Sequence, residues 1–429
     1  MKGLFNIKQL NKAGIVKNSA KLLSANFLAQ IIGFAVYPIL TRLYSPDDFG
    51  LLNLFLSIGG VLILFATGEY HCSIVLPESR EQGRACFQVG MLFNLVITLL
   101  CFLSIPFAPL IAQSFNTPQL ASWYFLLPFY VFAMAFWQLL NYWYVRQKSF
   151  ATISTYQVTQ SLLGAAQKIL YGWKGFLNGG LLVSVVLAPW LALFAMITAT
   201  YGSVKDLLCV SWTQCKQVAS RYRKFPLFSL PKALINYVSN NLPILLLVPF
   251  FGLEEVGYFG MAIALAHTPI NQVCKSFYQV LYQHITEKVN GKASIWPFFK
   301  KLILGVAGCV LLVFGALYFV LPWLTTWLLG PEWTVSGTYI QIMLPWLAVI
   351  CIYSTIDFII DIFGKQDKQF YFECALLVLR VAGLMWGIYL QNFMWAVLCF
   401  SMASAVLRII YIVYQCKWIK AYENTLNAI

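Results

Sequence analysis

The chain has 429 residues, of which 60% are hydrophobic and only 10% are charged, and its mean hydropathy is +0.74. A soluble domain is about 45–50% apolar and about 25% charged, so this composition excludes a soluble globular protein. It predicts helices whose solvent is lipid. The formal net charge of +14 would suggest a nucleic-acid partner in a soluble protein, but here the positions of the basic residues indicate otherwise.

Apolar runs separated by charged and turn-forming residues predict about twelve transmembrane helices. In chain order they are 21–42, 50–69, 86–112, 120–143, 151–171, 179–200, 227–250, 256–284, 301–323, 336–362, 370–390 and 393–415. The fifth run carries Ser, Thr and Gln side chains on one face. A polar face within the hydrocarbon layer is expected to lie against the protein interior or a water-filled cavity. The predicted fold class is therefore all-α, a polytopic membrane protein.

The distribution of Lys and Arg predicts the orientation. With a cytoplasmic N-terminus, 22 of the 29 basic residues fall in cytoplasmic segments, and only Arg42 and Lys174 fall on outer connections. Positively charged segments resist translocation, so both termini are predicted to be cytoplasmic. This arrangement accounts for the net charge without any nucleic acid.

An acidic motif recurs between the first and second predicted helix of each half of the chain. It reads YSPDDFG from Tyr44 and FGLEEVG from Phe251, and two further matches follow at nearly the same offset. We therefore predict two six-helix bundles, 1–207 and 208–429, related by an axis along the membrane normal. Transporters built in this way commonly bind substrate between their halves and expose it alternately to the two sides.

Most charged residues within the predicted helices are basic. Those predicted to line a cationic substrate cavity are Arg380, Lys232, Arg42 and Lys168. Unpaired cations at this depth are costly unless they face water or an anion, and a diphosphate is an anion that Arg binds through two hydrogen bonds. Arg380, nearest the bilayer middle, is the strongest candidate. The alternative for Arg42 and Lys168 is snorkelling to headgroups.

Five further ionisable residues have other predicted roles. Lys275 and Arg408 lie toward inner helix ends, where basic side chains contact inner-leaflet headgroups. Asp357, Asp361 and His267 are candidates for ion coupling. The alternative for the two acids is helix capping, and the alternative for Arg380 is an ion pair with one of them. The alternative for His267 is a hydrogen-bonded packing residue.

Catalytic and metal-binding motifs are missing from the sequence. There is no nucleotide-binding loop, nucleophile triad or Gly-rich phosphate loop, and the eleven cysteines include no C-x-x-C pair and no Cys-His ligand spacing. We therefore predict no catalytic residue, no cofactor and no metal. A membrane-embedded glycan polymerase or acyltransferase would need a large outer loop with catalytic His or Arg, and no outer connection is long enough.

Two sequence runs resemble a known family. TRLYSPDDFG at 41–50 and GEYHCSIVLPES at 68–79 are similar to the polysaccharide-transporter branch of the multidrug/oligosaccharidyl-lipid/polysaccharide exporter superfamily. In that family a basic residue often precedes the Glu-Tyr pair, whereas Gly68 stands in that place here. The likeness of motifs is confined to the first ~90 residues, while helix number, orientation and repeat agree over the whole chain.

This resemblance implies a MATE-like fold and a Wzx-type flippase of the bacterial inner membrane. Such proteins move undecaprenyl-diphosphate-linked oligosaccharide, the repeat unit of O-antigen or capsule, from the inner to the outer leaflet. Their partners are this lipid-linked substrate, the bilayer, and the polymerase and chain-length proteins of the same pathway. The competing interpretation within the superfamily is a drug/cation antiporter, which should show acids in its cavity.

Overall fold

The computed structural model describes residues 30–202, 207 and 212–427. The chain divides into two compact units, unit 1 up to Tyr237 and unit 2 from Val238. Every regular element in the described residues is a helix, which confirms the all-α prediction.

Unit 1 contains six principal helices. They are α1 (Gln30–Leu40), α2 (Pro46–Thr67), α3 (Arg80–Leu103), α4 (Leu127–Arg146), α5 (Phe150–Trp173) and α6 (Leu177–Ala199). Shorter α-helices occupy the connections: Tyr70–Ser73, Ala108–Ser114, Pro118–Trp123 and Trp212–Arg221. The 3₁₀ turns are Ile105–Phe107 and Tyr124–Leu126, and a π-helical turn covers Phe225–Ser229.

Six more helices follow, and all but the first residues of α7 lie in unit 2. They are α7 (Leu230–Ala262), α8 (Thr268–Asn290), α9 (Trp296–Leu329), α10 (Thr334–Ser354), α11 (Gln366–Tyr389) and α12 (Phe393–Asn427). The short elements are a π-helical turn at Ile263–His267, a 3₁₀ turn at Pro331–Trp333 and the helix Ile359–Ile362.

Nine stretches of the described chain are long and apolar enough to cross a membrane. α5 is not among them because of its polar face, although its 24 residues extend about 36 Å at 1.5 Å per residue. One of these nine stretches contains two of the predicted helices. Gly252, with φ 84° and ψ 179°, interrupts α7 between them. Each of the twelve predicted runs overlaps a helix of the described residues, and residues 21–29 of the first run lie outside them. The prediction of a multi-pass membrane protein is confirmed.

The acidic motif marks a helix start in each half of the chain. Ser45 Oγ accepts a hydrogen bond from the Asp48 backbone N–H at 3.3 Å, and the Asp48 carboxylate accepts one from Ser45 N at 3.0 Å. This capping box satisfies the free N–H groups at the N-terminus of α2. In unit 2 the helix resumes after Gly252, and the Glu255 carboxylate accepts a hydrogen bond from the Tyr339 hydroxyl. Acidic side chains at these positions also stabilise the helix, because they lie at the positive end of its dipole.

The helices of each unit pair in the same order. In unit 1, α3 packs on α4, α5 on α6, α4 on α6, and α2 on α4. In unit 2, α9 packs on α10, α11 on α12, α10 on α12, and α8 on α10. Each of these pairings thus recurs six helices later, as an internal repeat requires.

Candidate substrate-binding site

Arg380 lies in the interior of unit 2, with only 1% of its surface exposed. Its Nε donates to Ser404 Oγ at 2.8 Å. Its Nη1 donates to Ser239 Oγ at 2.8 Å, to the Ser239 carbonyl oxygen at 3.1 Å and to Asn240 Oδ1 at 3.2 Å. Residues of α7 and α12 therefore fix the guanidinium of α11.

Two aromatic rings also contact the guanidinium of Arg380. Its Cζ lies 4.7 Å from the Phe400 ring centroid and 5.7 Å from that of Trp346, within the range of cation–π attraction. Trp346 also stacks on His267, with ring centroids 5.2 Å apart. Within the described residues, Arg380 Nη2 and Trp346 Nε1 are buried and have no hydrogen-bond partner. A charged donor and a neutral donor are thus left available in one region.

The predicted alternative of an ion pair is not formed. Within the described part of the chain, neither Asp357 nor Asp361 lies within ion-pair distance of Arg380. Asp361 instead accepts a hydrogen bond from the Tyr278 hydroxyl at 3.0 Å, and Asp357 Oδ1 is buried without a hydrogen-bond partner among the described residues. The direct contacts of the Arg380 guanidinium are therefore with uncharged oxygens and aromatic rings.

Arg408 and Lys275 are the two residues predicted to contact inner-leaflet headgroups. Arg408 is half-buried on α12, and its Cζ lies 4.7 Å from the Tyr353 ring centroid. Its Nε is buried and has no hydrogen-bond partner in the described residues. The side chain of Lys275 lies outside the described residues. For both, headgroup contact stays a prediction.

The predicted cations of unit 1 have unlike surroundings. Arg42 is exposed and donates from Nη1 to the carbonyl oxygen of Pro38, one turn earlier in the chain. Lys168 is half-buried on α5, and its carbonyl oxygen accepts a hydrogen bond from the Tyr44 hydroxyl at 2.7 Å. Its ammonium forms neither a hydrogen bond nor an ion pair with the described residues. Lys168 thus carries the more available charge.

A polar stripe runs along α5 on the side that includes Lys168. We define it by Ser154, Gln157, Gln167 and Lys168, whose spacing places them on one side of a helix with 3.6 residues per turn. The oxygens Ser154 Oγ, Gln157 Oε1 and Gln167 Oε1 are buried and have no partner among the described residues. The polar face predicted for the fifth helix is therefore inside the protein, where unpaired oxygens require water or a ligand.

Lys232 is exposed near the start of α7. Asn236 and Asn240 follow at intervals of four residues and are also exposed, so the three side chains share one face of this helix. Asn240 is the residue that contacts Arg380. The same helix therefore carries Lys232 and the polar groups that hold Arg380.

An apolar groove of about 680 Å³ lies between α9 and α10. Its walls include Gly308 and Gly315 of α9 and Leu344 and Pro345 of α10. A Cβ atom added at either glycine would meet nothing within 4 Å. The absence of side chains at these glycines leaves the groove open.

Sequence reasoning missed several residues of this site. Ser239, Ser404 and Trp346 surround Arg380 only because separate helices meet there. For the two serines, the available signal in the sequence was a small polar residue inside an apolar run. Such residues are enriched where transmembrane helices approach closely.

Comparisons with known proteins agree with this fold. A family model described as "Polysaccharide biosynthesis protein" matches residues 39–338. An inward-facing multidrug resistance MATE family transporter of the MOP superfamily superposes with a TM-score of 0.73 and 13% identity, over 95% of this chain and 99% of that one. The lipid II flippase MurJ in an inward closed conformation gives a TM-score of 0.72 and 13% identity, over 95% and 92%. No curated protein matches the sequence.

Proposed function

Because this chain belongs to the family of polysaccharide biosynthesis proteins, we propose that it is a flippase for undecaprenyl-diphosphate-linked oligosaccharide. It carries the repeat unit of O-antigen or capsule from the inner to the outer leaflet of the bacterial inner membrane, by alternating access between two six-helix bundles. Both termini are cytoplasmic in this proposal, because that orientation leaves most basic residues untranslocated. The chain is a transporter and catalyses no bond change.

The buried charge of Arg380 is the observation that carries the proposal. A guanidinium that is 1% exposed and has no carboxylate within ion-pair distance in the described residues bears a large desolvation cost. An anionic ligand lowers that cost, and the unpartnered Nη2 provides a donor for it. A diphosphate suits this role because it offers several charged acceptor oxygens.

Features of the two units suit the other parts of the substrate. The polar stripe of α5 offers oxygens that accept hydrogen bonds from sugar hydroxyl groups, and Lys168 adds a positive charge at one end. The apolar groove between α9 and α10 suits a polyprenyl chain, which remains in lipid while the head group crosses. Asp357, Asp361 and His267 are the proposed ion-coupling groups.

A drug/cation antiporter is the second candidate. One observation favours it: Asp357 Oδ1 is buried without a hydrogen-bond partner in the described residues, so a carboxylate is available for a cation. The solved structure of a MATE family transporter shares the fold. Uptake of cationic dyes by proteoliposomes, abolished in Asp357→Asn, would favour the antiporter over the flippase.

The direct test is flipping of a fluorescent undecaprenyl-diphosphate oligosaccharide in proteoliposomes. We expect Arg380→Gln to reduce the rate by about 10-fold or more, since a hydrogen bond to a charged group contributes ~1.5–3 kcal/mol, and Arg380→Lys to retain part of the rate. Lys174→Gln, which removes an exposed charge from the connection between α5 and α6, is the matched control. Parental rates in a correctly inserted Arg380→Gln protein contradict the proposal.

A further inference from the structure

Three potential metal ligands meet in the connection between α2 and α3. Glu69, His71 and Cys72 each offer one ligand atom, and these atoms all lie within 4.8 Å of one another. The spacing E-x-H-C is not one of the common metal-ligand patterns, and the sequence therefore predicted no metal. The local backbone brings the three side chains together.

The backbone conformation that does so is unusual. Helix α2 ends at Gly68, which has φ 52°, and Glu69 follows with φ 59°. A left-handed conformation is uncommon for a residue other than glycine, and it merits a functional explanation where it persists. Here the Glu69 carboxylate lies close to His71 and Cys72 in the turn formed by Tyr70–Ser73.

His71 is the least exposed of the three ligands, with 8% of its surface accessible. Its Nδ1 is buried and has no hydrogen-bond partner in the described residues. Its Nε2 lies 3.9 Å from Glu69 Oε2, which is too long for a hydrogen bond. A buried imidazole nitrogen that has no hydrogen-bond partner needs a further partner.

Cys72 supplies the sulfur ligand. Its Sγ lies 3.5 Å from Glu69 Oε2 and 3.7 Å from the Tyr142 hydroxyl oxygen. Tyr142 of α4 also contacts His71, with ring centroids 4.8 Å apart. The cluster is thus supported by a neighbouring helix, as metal sites are by the residues around their ligands.

We propose that Glu69, His71 and Cys72 bind a divalent cation of the Zn²⁺ class. Zinc takes sulfur, imidazole and carboxylate ligands at about 2.0–2.3 Å in tetrahedral geometry, with water as a fourth ligand where only three come from the protein. Ligand atoms around such an ion lie roughly 3.3–3.8 Å apart, so the three groups need to close by about 1 Å. The mixture of soft and borderline donors disfavours Mg²⁺ and Ca²⁺, which prefer oxygen.

Binding would have a defined chemical and structural effect. The Cys72 thiol binds as the thiolate and releases its proton to solvent, so affinity rises with pH. The ion links Glu69, at the end of α2, to the turn that precedes α3. The alternative is a polar cluster without metal, in which the Cys72 thiol contacts Glu69 and Tyr142 and the buried Nδ1 of His71 has no hydrogen-bond partner among the described residues.

Metal binding by the purified full-length chain tests the proposal. The protein is stripped with a chelator and titrated with Zn²⁺ against a chromophoric competitor, and bound metal is counted by mass spectrometry. We expect about one Zn²⁺ per chain and at least ~10-fold weaker binding for Cys72→Ser and for His71→Asn. Cys101→Ser, which removes another free and buried cysteine, is the matched control and should bind as the parent does.

Cobalt gives an independent measurement. Co²⁺ bound to a thiolate produces a charge-transfer absorption, which should appear in the parent and in Cys101→Ser and vanish in Cys72→Ser. Size-exclusion profiles identify any variant that fails to fold, and Glu69→Gln provides a third, milder change. Equal zinc binding by the parent and the Cys72→Ser/His71→Asn double variant overturns the proposal without affecting the proposed flippase function.

Discussion

His267 stacks on Trp346 with ring centroids 5.2 Å apart, and the same indole lies 5.7 Å from Arg380 Cζ. One aromatic ring therefore contacts a residue proposed for ion coupling and a residue proposed for substrate binding. We therefore expect a change in the charge of His267 to affect the Arg380 region through this ring. Trp346 is 2% exposed, so the packing around it is tight.

Trp346→Leu tests this relationship. Removal of the indole eliminates one cation–π contact of Arg380, worth about 0.5–2 kcal/mol, and we expect a ~3- to 30-fold weaker apparent affinity for the lipid-linked substrate. Concentration dependence of flipping in proteoliposomes measures it. Trp386→Leu, at an exposed position of α11, should leave the affinity unchanged. Equal affinities for these two variants contradict the role of Trp346.

Lys168→Gln tests the polar stripe of unit 1. Its half-buried ammonium forms no ion pair with the described residues, and removing it should weaken substrate binding by about 5-fold or more through loss of a charge-assisted contact. The loss of affinity caused by the substitution should be smaller in high salt, because salt screens a charge that is partly open to solvent. The exposed Lys174→Gln is the matched control, and an identical salt dependence for both variants would mean that Lys168 only contacts headgroups.

Gly308→Leu tests the apolar groove. The added side chain meets no atom within 4 Å of its Cβ and fills space between α9 and α10, so the fold should tolerate it. We expect flipping of the full-length polyprenyl substrate to fall several-fold, with little change for an analogue whose prenyl chain is truncated. Gly305→Leu places the same side chain on α9 outside the groove and should flip both substrates normally.

Gly387→Val tests the packing of α11 on α12. A Cβ at Gly387 would overlap the backbone of Ala396, and overpacking of this kind costs about 1–3 kcal/mol. We expect a lower melting temperature in detergent. Gly305→Ala, on a helix face with open space, should raise the melting temperature slightly, because Ala favours helix by ~1 kcal/mol over Gly. A melting temperature that is unchanged in Gly387→Val would show that the two helices separate easily.

Much of the fold could be predicted from the sequence, because lipid requires continuous apolar helices and each helix leaves its own local signal. The acidic motif predicted a repeat, and Asp48 and Glu255 both lie at helix starts. Arg380 stood out as a cation at membrane depth. The short linking helix Trp212–Arg221, in contrast, was not predicted, since its polar composition resembles that of a basic loop.

The site itself was less predictable. Ser404 and Ser239 contact Arg380 from helices that are distant in sequence, and no local pattern encodes that meeting. The Glu69 cluster was missed for a different reason: it depends on a left-handed residue at a helix end, where propensity favours glycine. Tertiary packing and local strain thus account for what the sequence left open.

The polar stripe of α5 also bears on how the chain enters the bilayer. A helix with buried, unpaired Ser and Gln oxygens is a poor substrate for insertion by itself, because hydrocarbon offers those groups no partner. α6 follows after a short turn, is strongly apolar and packs along α5. We therefore expect the translocation machinery to release these two helices into lipid together, as a hairpin.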